Sequence, residues 1–171
     1  MAEYNSCADL IQDKDKVTEI ENAFIESDDP LQDMLNMQNW LQTILAKKLP
    51  EDNISPDQVK TKGQMVDWMD RNYDAIMDEF RELKNAIGGM SKGEKEASAV
   101  WKKWKANHQD ISNELISEMP DEDRLEMLFE MIDIWHFMMN KFLALGLTSK
   151  DIYILYMLKN AENKRRYDSG Y

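Results

Sequence analysis

The sequence has a single cysteine, Cys7, so it cannot form an internal disulfide bond. It also lacks an apolar run long enough to span a bilayer, and residues 2–16 are too polar and acidic for a secretory signal. Basic residues are in deficit: the net charge is −12, which argues against the nucleic-acid backbone as a partner. We therefore expect a cytoplasmic protein that binds neither membranes nor nucleic acids.

Turn-forming residues are few as well, with six glycines and four prolines among 171 residues. Thirteen methionines and five tryptophans are present instead, and methionine packs adaptably in helical cores. No segment shows the period-two alternation of a β-strand. The sequence predicts one all-α domain over residues 1–171, a bundle of about five helices.

Helix ends are predicted from prolines, glycines and capping residues. The five expected helices are Pro30 to Lys48, Ser55-Pro56 to about Ile87, Trp101 to about Glu118, the residues after Pro120 to about Leu145, and a last helix capped by Thr148 or Ser149.

Residues 127–139 are apolar on nearly every side, yet they contain Glu130, Asp133 and His136 at three-residue spacing. At about 100° per residue these three fall within an arc of about 120°. A helix that is hydrophobic all round is a buried helix, and a buried carboxylate is costly unless it is paired or holds a metal ion. The alternative is a polar stripe that reaches the surface and is simply solvated.

A second pair of acids, Glu79 and Glu82, lies on one face of the long middle helix beside an apolar arc. If the two helices face each other, four carboxylates converge, and they need cations. Mg²⁺ prefers oxygen ligands and binds phosphates at the same time, which makes it the expected cofactor.

Cationic and amide residues near the end of the chain suit phosphate oxygens. The alternative is a basic helix end that satisfies its own dipole. A second basic and aromatic cluster spans Trp101 to Lys105, and by itself it is typical of a packed amphipathic turn. The C-terminal candidates are Tyr156, Lys159, Asn160, Asn163, Arg166 and Tyr171.

Five segments together resemble the all-α NTP pyrophosphohydrolases, in particular their dimeric dUTPase branch and its bacteriophage members. The resemblance covers most of the chain, and the order of the segments makes it specific. The segments are Met34 to Gln42, Glu79-Phe80-Arg81-Glu82, Trp101-Lys102-Lys103-Trp104-Lys105, Glu130 to Phe137, and Lys159-Asn160-x-x-Asn163-x-x-Arg166 with Gly170-Tyr171.

The resemblance implies an enzyme in which Glu79, Glu82, Glu130 and Asp133 hold Mg²⁺ around a nucleoside triphosphate. Water, activated by a metal ion and a glutamate, attacks the α-phosphorus and yields the monophosphate and pyrophosphate. We expect Glu82, or else Glu79, to take the proton. Other residues are implied to bind the substrate: Gln38, Gln42, Trp101, Lys105, His136 and the C-terminal candidates. His136 contacts the sugar or a metal-binding carboxylate, or is a core histidine.

Gln42 departs from the family pattern, which has asparagine there. An amide can turn either its donor or its acceptor toward a base, so the longer glutamine predicts hydrolysis of both dCTP and dUTP. The resemblance also implies a homodimer or larger homo-oligomer, association with other nucleotide-synthesis enzymes, and the host cytoplasm if a phage encodes the chain.

Other functions are compatible with the same residues. One is a di-iron carboxylate bundle, although such sites normally need two Glu-x-x-His motifs and the second is absent. Another is a helical interaction module without catalysis, which leaves acids within an apolar helix unexplained. A third is the same fold acting on dUTP alone or on other nucleotides.

Overall fold

The computed structural model describes residues 7–49 and 54–170, and all the secondary structure in these two stretches is helical. This confirms the all-α class, but with eight α-helices rather than about five. They are α1 (Cys7–Gln12), α2 (Lys14–Glu26), α3 (Pro30–Lys48), α4 (Lys62–Ile87), α5 (Glu94–Ala97), α6 (His108–Ser112), α7 (Asp121–Ala144) and α8 (Ser149–Asp168). In these stretches no helix is both long and apolar enough to cross a membrane.

The chain divides into two compact units. The first comprises the residues up to Glu26 and Arg71–Met138, and the second comprises Ser27–Asp70 and Met139–Tyr171. The predicted single domain over residues 1–171 stays a prediction.

Three of the predicted helices have the expected bounds because their capping residues could be recognised in the sequence. Helix α3 begins after Asp29, whose side chain accepts a hydrogen bond from the backbone N–H of Gln32 at 3.0 Å. Helix α7 ends at a Schellman motif, in which Gly146 has φ +70 and Leu147 N–H donates to the carbonyl of Phe142. Helix α8 begins with a capping box between Thr148 and Asp151.

The predicted start of the middle helix at Ser55-Pro56 is wrong. Those residues open a single 3-10 turn, Pro56–Gln58, and α4 begins only at Lys62. The cap is Thr61: its Oγ1 accepts from Gln64 N–H at 3.2 Å, while Gln64 Oε1 accepts from Thr61 N–H at 3.0 Å. This reciprocal pair satisfies two backbone donors at the start of α4 that have no acceptor within the helix.

The helix predicted from Trp101 to Glu118 is also wrong, since only α6 and a 3-10 turn at Ile116–Glu118 form there. Side chains bind the backbone instead: His108 Nδ1 lies 2.7 Å from the carbonyl of Ala99, and Lys105 Nζ contacts the carbonyl of Lys95. Such bonds between side chains and backbone compete with helix formation.

Candidate active site

Three carboxylates meet in the first unit. Glu79 and Glu82 lie one turn apart on α4, and Glu130 lies on α7. One carboxylate oxygen from each falls within 4.8 Å of the other two. Because like charges at this distance repel, the arrangement is stable in the ionised form only with a cation between them.

Glu130 is the most buried member, at 8% exposure. Its Oε2 is the one side-chain oxygen or nitrogen, among the described residues, that is shielded from solvent and has no hydrogen-bond partner. Burial, followed by the charges of Glu82 and Glu79, raises the pKa of Glu130 to about 7. Burial also raises the pKa of Glu79, and the charge of Glu82 adds to it. A divalent cation fits this set, since it would both bind the orphaned oxygen and relieve the repulsion.

A cavity of about 300 Å³ opens beside the carboxylates. Its polar lining consists mainly of acids from three helices, so the space suits cations and the polyanions that cations carry. The lining residues are Glu82, Asn85, Ala86, Met90, Glu94, Glu126 and Glu130.

Asp133 does not join the close group, so three of the four predicted carboxylates converge. Its side chain is 48% exposed, and its Oδ1 lies 3.4 Å from Nδ1 of His136. The expectation that an apolar helix wraps both acids of α7 therefore holds for Glu130 and fails for Asp133. The reason is that α7 is only partly covered in this chain, with Met131 and Ile132 about half exposed. Asp133 is nevertheless near enough for its charge to raise the pKa of Glu130.

Trp101 and Lys105 hold the loop that follows α5. The indole N–H of Trp101 donates to Oδ1 of Asn85 at 2.9 Å, and the ammonium of Lys105 donates to Oγ of Ser98 at 2.9 Å as well as to the carbonyl of Lys95. The polar atoms of both predicted substrate ligands are thus engaged within the protein.

Gln38 and Gln42 lie one turn apart on α3, in the second unit. Gln38 is buried, and its Nε2 donates to Oδ1 of Asn140 at 2.8 Å. Gln42 is half-buried, and its amide makes no hydrogen bond with the residues that the structure describes.

The C-terminal candidates lie on α8, also in the second unit, and are exposed. Arg166 Nε forms an ion pair of 2.9 Å with Glu162, which also binds Arg165. The other members of the set, Tyr156, Lys159, Asn160 and Asn163, project from the same exposed helix. Tyr171 lies outside the described residues.

The chain is 49% identical to a dCTP pyrophosphatase of Enterobacteria phage LZ5 and 48% identical to a dCTP pyrophosphatase of Enterobacteria phage T4, in each case over all of both chains. It belongs to the phage dCTP pyrophosphatase family. Membership confirms the predicted enzyme class and the predicted relation to bacteriophage enzymes. It also favours a nucleotide hydrolase over the di-iron bundle and the interaction module.

A third relative is a longer phage T4 protein called DNA replication protein. It is 48% identical over 161 residues, which are 94% of this chain but 41% of that protein. No family model matches the chain. No solved structure matches it either.

Several residues that line this cavity were not predicted from the sequence. Glu126 lies one turn before Glu130, and Asn85 one turn after Glu82, so helical spacing from the recognised acids would have found both. Glu94 enters from the separate short helix α5, and no spacing indicates it.

Proposed function

We propose that this protein hydrolyses dCTP to dCMP and pyrophosphate with Mg²⁺, and that it cleaves dUTP in the same way. The observation that carries the proposal is that Glu79, Glu82 and Glu130 each bring a carboxylate oxygen within 4.8 Å of the other two, and that Oε2 of Glu130 is buried without a hydrogen-bond partner. Full-length relatives named dCTP pyrophosphatase support the choice of nucleotide.

Glu79, Glu82 and Glu130 would hold the metal, and Asp133 is the natural fourth ligand because it lies one turn along α7 from Glu130. Bound Mg²⁺ neutralises charge on the phosphates and lowers the pKa of the attacking water. Carboxylates that repel one another without a bound cation are well suited to Mg²⁺, since this ion is hard and prefers anionic oxygen.

Glu82 takes the proton from the water that attacks the α-phosphorus. It is exposed at the cavity, whereas Glu130 is enclosed. The new bond joins the water oxygen to the α-phosphorus, and the bond from the α-phosphorus to the bridging oxygen breaks. The electron pair leaves with pyrophosphate, and the resemblance of the C-terminal segment to the family motif implies that Lys159 and Arg166 stabilise its charge.

The resemblance implies that Gln42 on α3 reads the base. Because the Gln42 amide is not held by the described residues, it can turn its donor or its acceptor to the ring, so both cytosine and uracil are accepted. Gln42→Asn tests this role. We expect the ratio of dCTP to dUTP turnover to change, and an unchanged ratio would remove Gln42 from base reading.

Assembly with a second copy is part of the proposal. Helix α8 exposes Tyr153, Leu155, Tyr156 and Leu158, each more than half accessible, and so many exposed large apolar side chains on one helix favour burial against a partner. Light scattering after gel filtration should give at least twice the 20.1 kDa chain mass. A monomer at micromolar concentration would contradict the proposed assembly.

The decisive assay incubates the protein with each deoxynucleoside triphosphate and Mg²⁺ and identifies the monophosphate formed. Glu130→Gln should lower pyrophosphate release from dCTP at least 100-fold while the fold is kept. Glu122→Gln is the matched control, because it removes an exposed acid from the first turn of the same helix. Turnover that survives Glu130→Gln, or an absence of dCMP with the native sequence, would overturn the proposal.

A further inference from the structure

The side chain of Asn85 offers a hydrogen-bond donor at the cavity beside the carboxylates. Its Oδ1 accepts a hydrogen bond of 2.9 Å from the indole N–H of Trp101. An indole nitrogen can only donate, so the carbonyl end of the Asn85 amide faces Trp101 and the nitrogen end is turned away from it. This nitrogen, Nδ2, has no partner among the described residues and is not shielded from solvent. The amide is thus held in one orientation with its donor free.

Asn85 differs from the other polar residues that line this cavity. The others are all glutamates, which only accept hydrogen bonds when they are ionised. Asn85 lies three residues after Glu82 on α4, so the two side chains share one face of the helix. The donor therefore lies beside a proposed metal ligand, in the same compact unit as all three converging carboxylates.

Positive charge gathers near the same edge of the cavity. The ammonium groups of Lys84 and Lys102 lie 4.5 and 4.8 Å from the centre of the Trp101 ring, whose N–H binds Asn85. Mg²⁺ takes oxygen ligands, so a free N–H donor does not serve the metal ion. A donor close to two lysines suits an anion instead. The anion that Mg²⁺ carries into a cavity of carboxylates is a phosphate.

We propose that Asn85 is a substrate-binding residue, whose Nδ2 donates to a phosphate oxygen of the metal-bound nucleotide, and that Trp101 is the positioning residue that orients it. This rests on the proposed function, in which the neighbouring carboxylates hold Mg²⁺. It also gives Trp101 a role other than the direct substrate contact that the family resemblance implies. The indole N–H is engaged by Asn85, so Trp101 acts on the nucleotide through the amide that it holds.

The first test separates phosphate binding from metal binding by calorimetry. Asn85→Ala removes the donor, adds no charge and suits a helix. We expect the Kd of Mg²⁺ alone to stay within about threefold. With saturating Mg²⁺, the Kd of pyrophosphate or of dCMP should rise at least about tenfold, the usual value of one hydrogen bond to a charged group. Weaker pyrophosphate binding places the contact on the leaving group, and weaker dCMP binding places it on the α-phosphate. Unchanged binding of both ligands would overturn the proposal.

Asn113→Ala is the matched control. Asn113 is exposed at the end of α6, in the same unit, and does not line the cavity, so its substitution should leave all three Kd values unchanged. If Asn85→Ala does not fold, Asn85→Asp replaces it, because the aspartate keeps an acceptor for Trp101 and lacks only the donor. Native affinity of Asn85→Asp for both phosphate ligands would also overturn the proposal.

A double-mutant cycle tests the positioning role of Trp101. Trp101→Phe frees the Asn85 amide to rotate, so the Kd of the affected phosphate ligand should rise about threefold in the native background. In the Asn85→Ala background the same substitution should change that Kd by less than about 1.5-fold, since no amide is left to orient. An equal rise in both backgrounds would show that Trp101 does not act through Asn85.

Failure of the inference is distinguishable from failure of the proposed function. If the native protein releases no pyrophosphate from dCTP with Mg²⁺, the proposed function fails and the inference fails with it. If the native protein is active and Asn85→Ala keeps the native KM for dCTP, only the inference fails. We expect this KM to rise at least about tenfold while kcat stays within about threefold, because the donor binds the phosphate before as well as during the reaction.

Discussion

Trp101 donates its indole N–H to Oδ1 of Asn85 at 2.9 Å, and so joins the loop after α5 to the helix that carries Glu79 and Glu82. The ammonium groups of Lys84 and Lys102 lie 4.5 and 4.8 Å from the centre of the Trp101 ring. The bond leaves the amide nitrogen of Asn85 as the donor at this edge of the cavity. Trp101 is therefore linked to the cavity through Asn85.

Trp101→Phe keeps an aromatic ring for the lysines but removes the N–H together with part of the indole surface. We expect the free energy of unfolding to fall by at least about 1 kcal/mol, the usual net value of one hydrogen bond. Urea unfolding measures it. Trp104→Phe is the matched control, because Trp104 is 77% exposed and the same substitution there should change stability by less than about 0.5 kcal/mol. Equal losses in the two variants would show that the bond to Asn85 contributes nothing.

Glu130 makes the metal-free protein sensitive to alkaline pH. Its pKa is raised from 4.5 to about 7, so the fold favours the neutral carboxyl. The neutral Glu130 carboxyl contributes up to about 3 kcal/mol to the free energy of unfolding. This contribution is complete below about pH 4.5 and is lost as the pH rises through about 7. In the presence of a chelator, the free energy of unfolding of Glu130→Gln should not decline with rising pH in this way. At pH 8 the variant should therefore be more stable than the native protein.

Glu122→Gln is the control for that series, since it removes one negative charge from α7 without touching the buried group. It should follow the native pH profile. A constant difference between Glu130→Gln and the native protein from pH 5 to 8 would contradict the raised pKa, because a titrating group must make the difference depend on pH.

Binding of Mg²⁺ should offset the loss of stability that repulsion among Glu79, Glu82 and Glu130 causes. A ligand that binds only the folded state at 100 times its Kd stabilises by about 2.7 kcal/mol, so the native protein should melt several degrees higher with saturating Mg²⁺. Glu79→Gln and Glu130→Gln should lose most of this rise, and Glu122→Gln should keep it. The same rise in all four proteins would place the metal elsewhere.

The acids of the site were predictable from sequence because helical spacing reports which residues share a face. Spacing also implied that Glu130 lies in apolar surroundings. It did not show that Asp133 is half exposed, because the exposure of α7 depends on which of its faces the rest of the chain covers. The loop after α5 was beyond prediction for a related reason. Trp101 and Lys105 follow a helical pattern, but bonds to Asn85 and Lys95 fix them in a non-helical path.

Gly88 lets Ala97, the last residue of α5, from which that loop continues, approach the end of α4 beside the cavity. A Cβ placed on Gly88 would lie 1.9 Å from the backbone carbonyl oxygen of Ala97, a position that no side-chain rotation can relieve. Gly88→Ala must therefore move either the loop or the helix end that carries Asn85. We expect a loss of about 3 kcal/mol, at the upper end of the usual cost of overpacking, in urea unfolding.

The matched control is Gly63→Ala on the same helix, where the nearest atom to the added Cβ is Thr61 Oγ1 at 3.9 Å. Alanine there restricts the unfolded chain and favours the helix, so stability should rise by about 0.5–1 kcal/mol. Both substitutions add one methyl group, at Gly63 within α4 or at Gly88 just after its end. They differ in that only the methyl group at Gly88 meets the backbone of Ala97. Similar unfolding midpoints for the two variants would mean that the loop gives way easily and does not fix the position of Asn85.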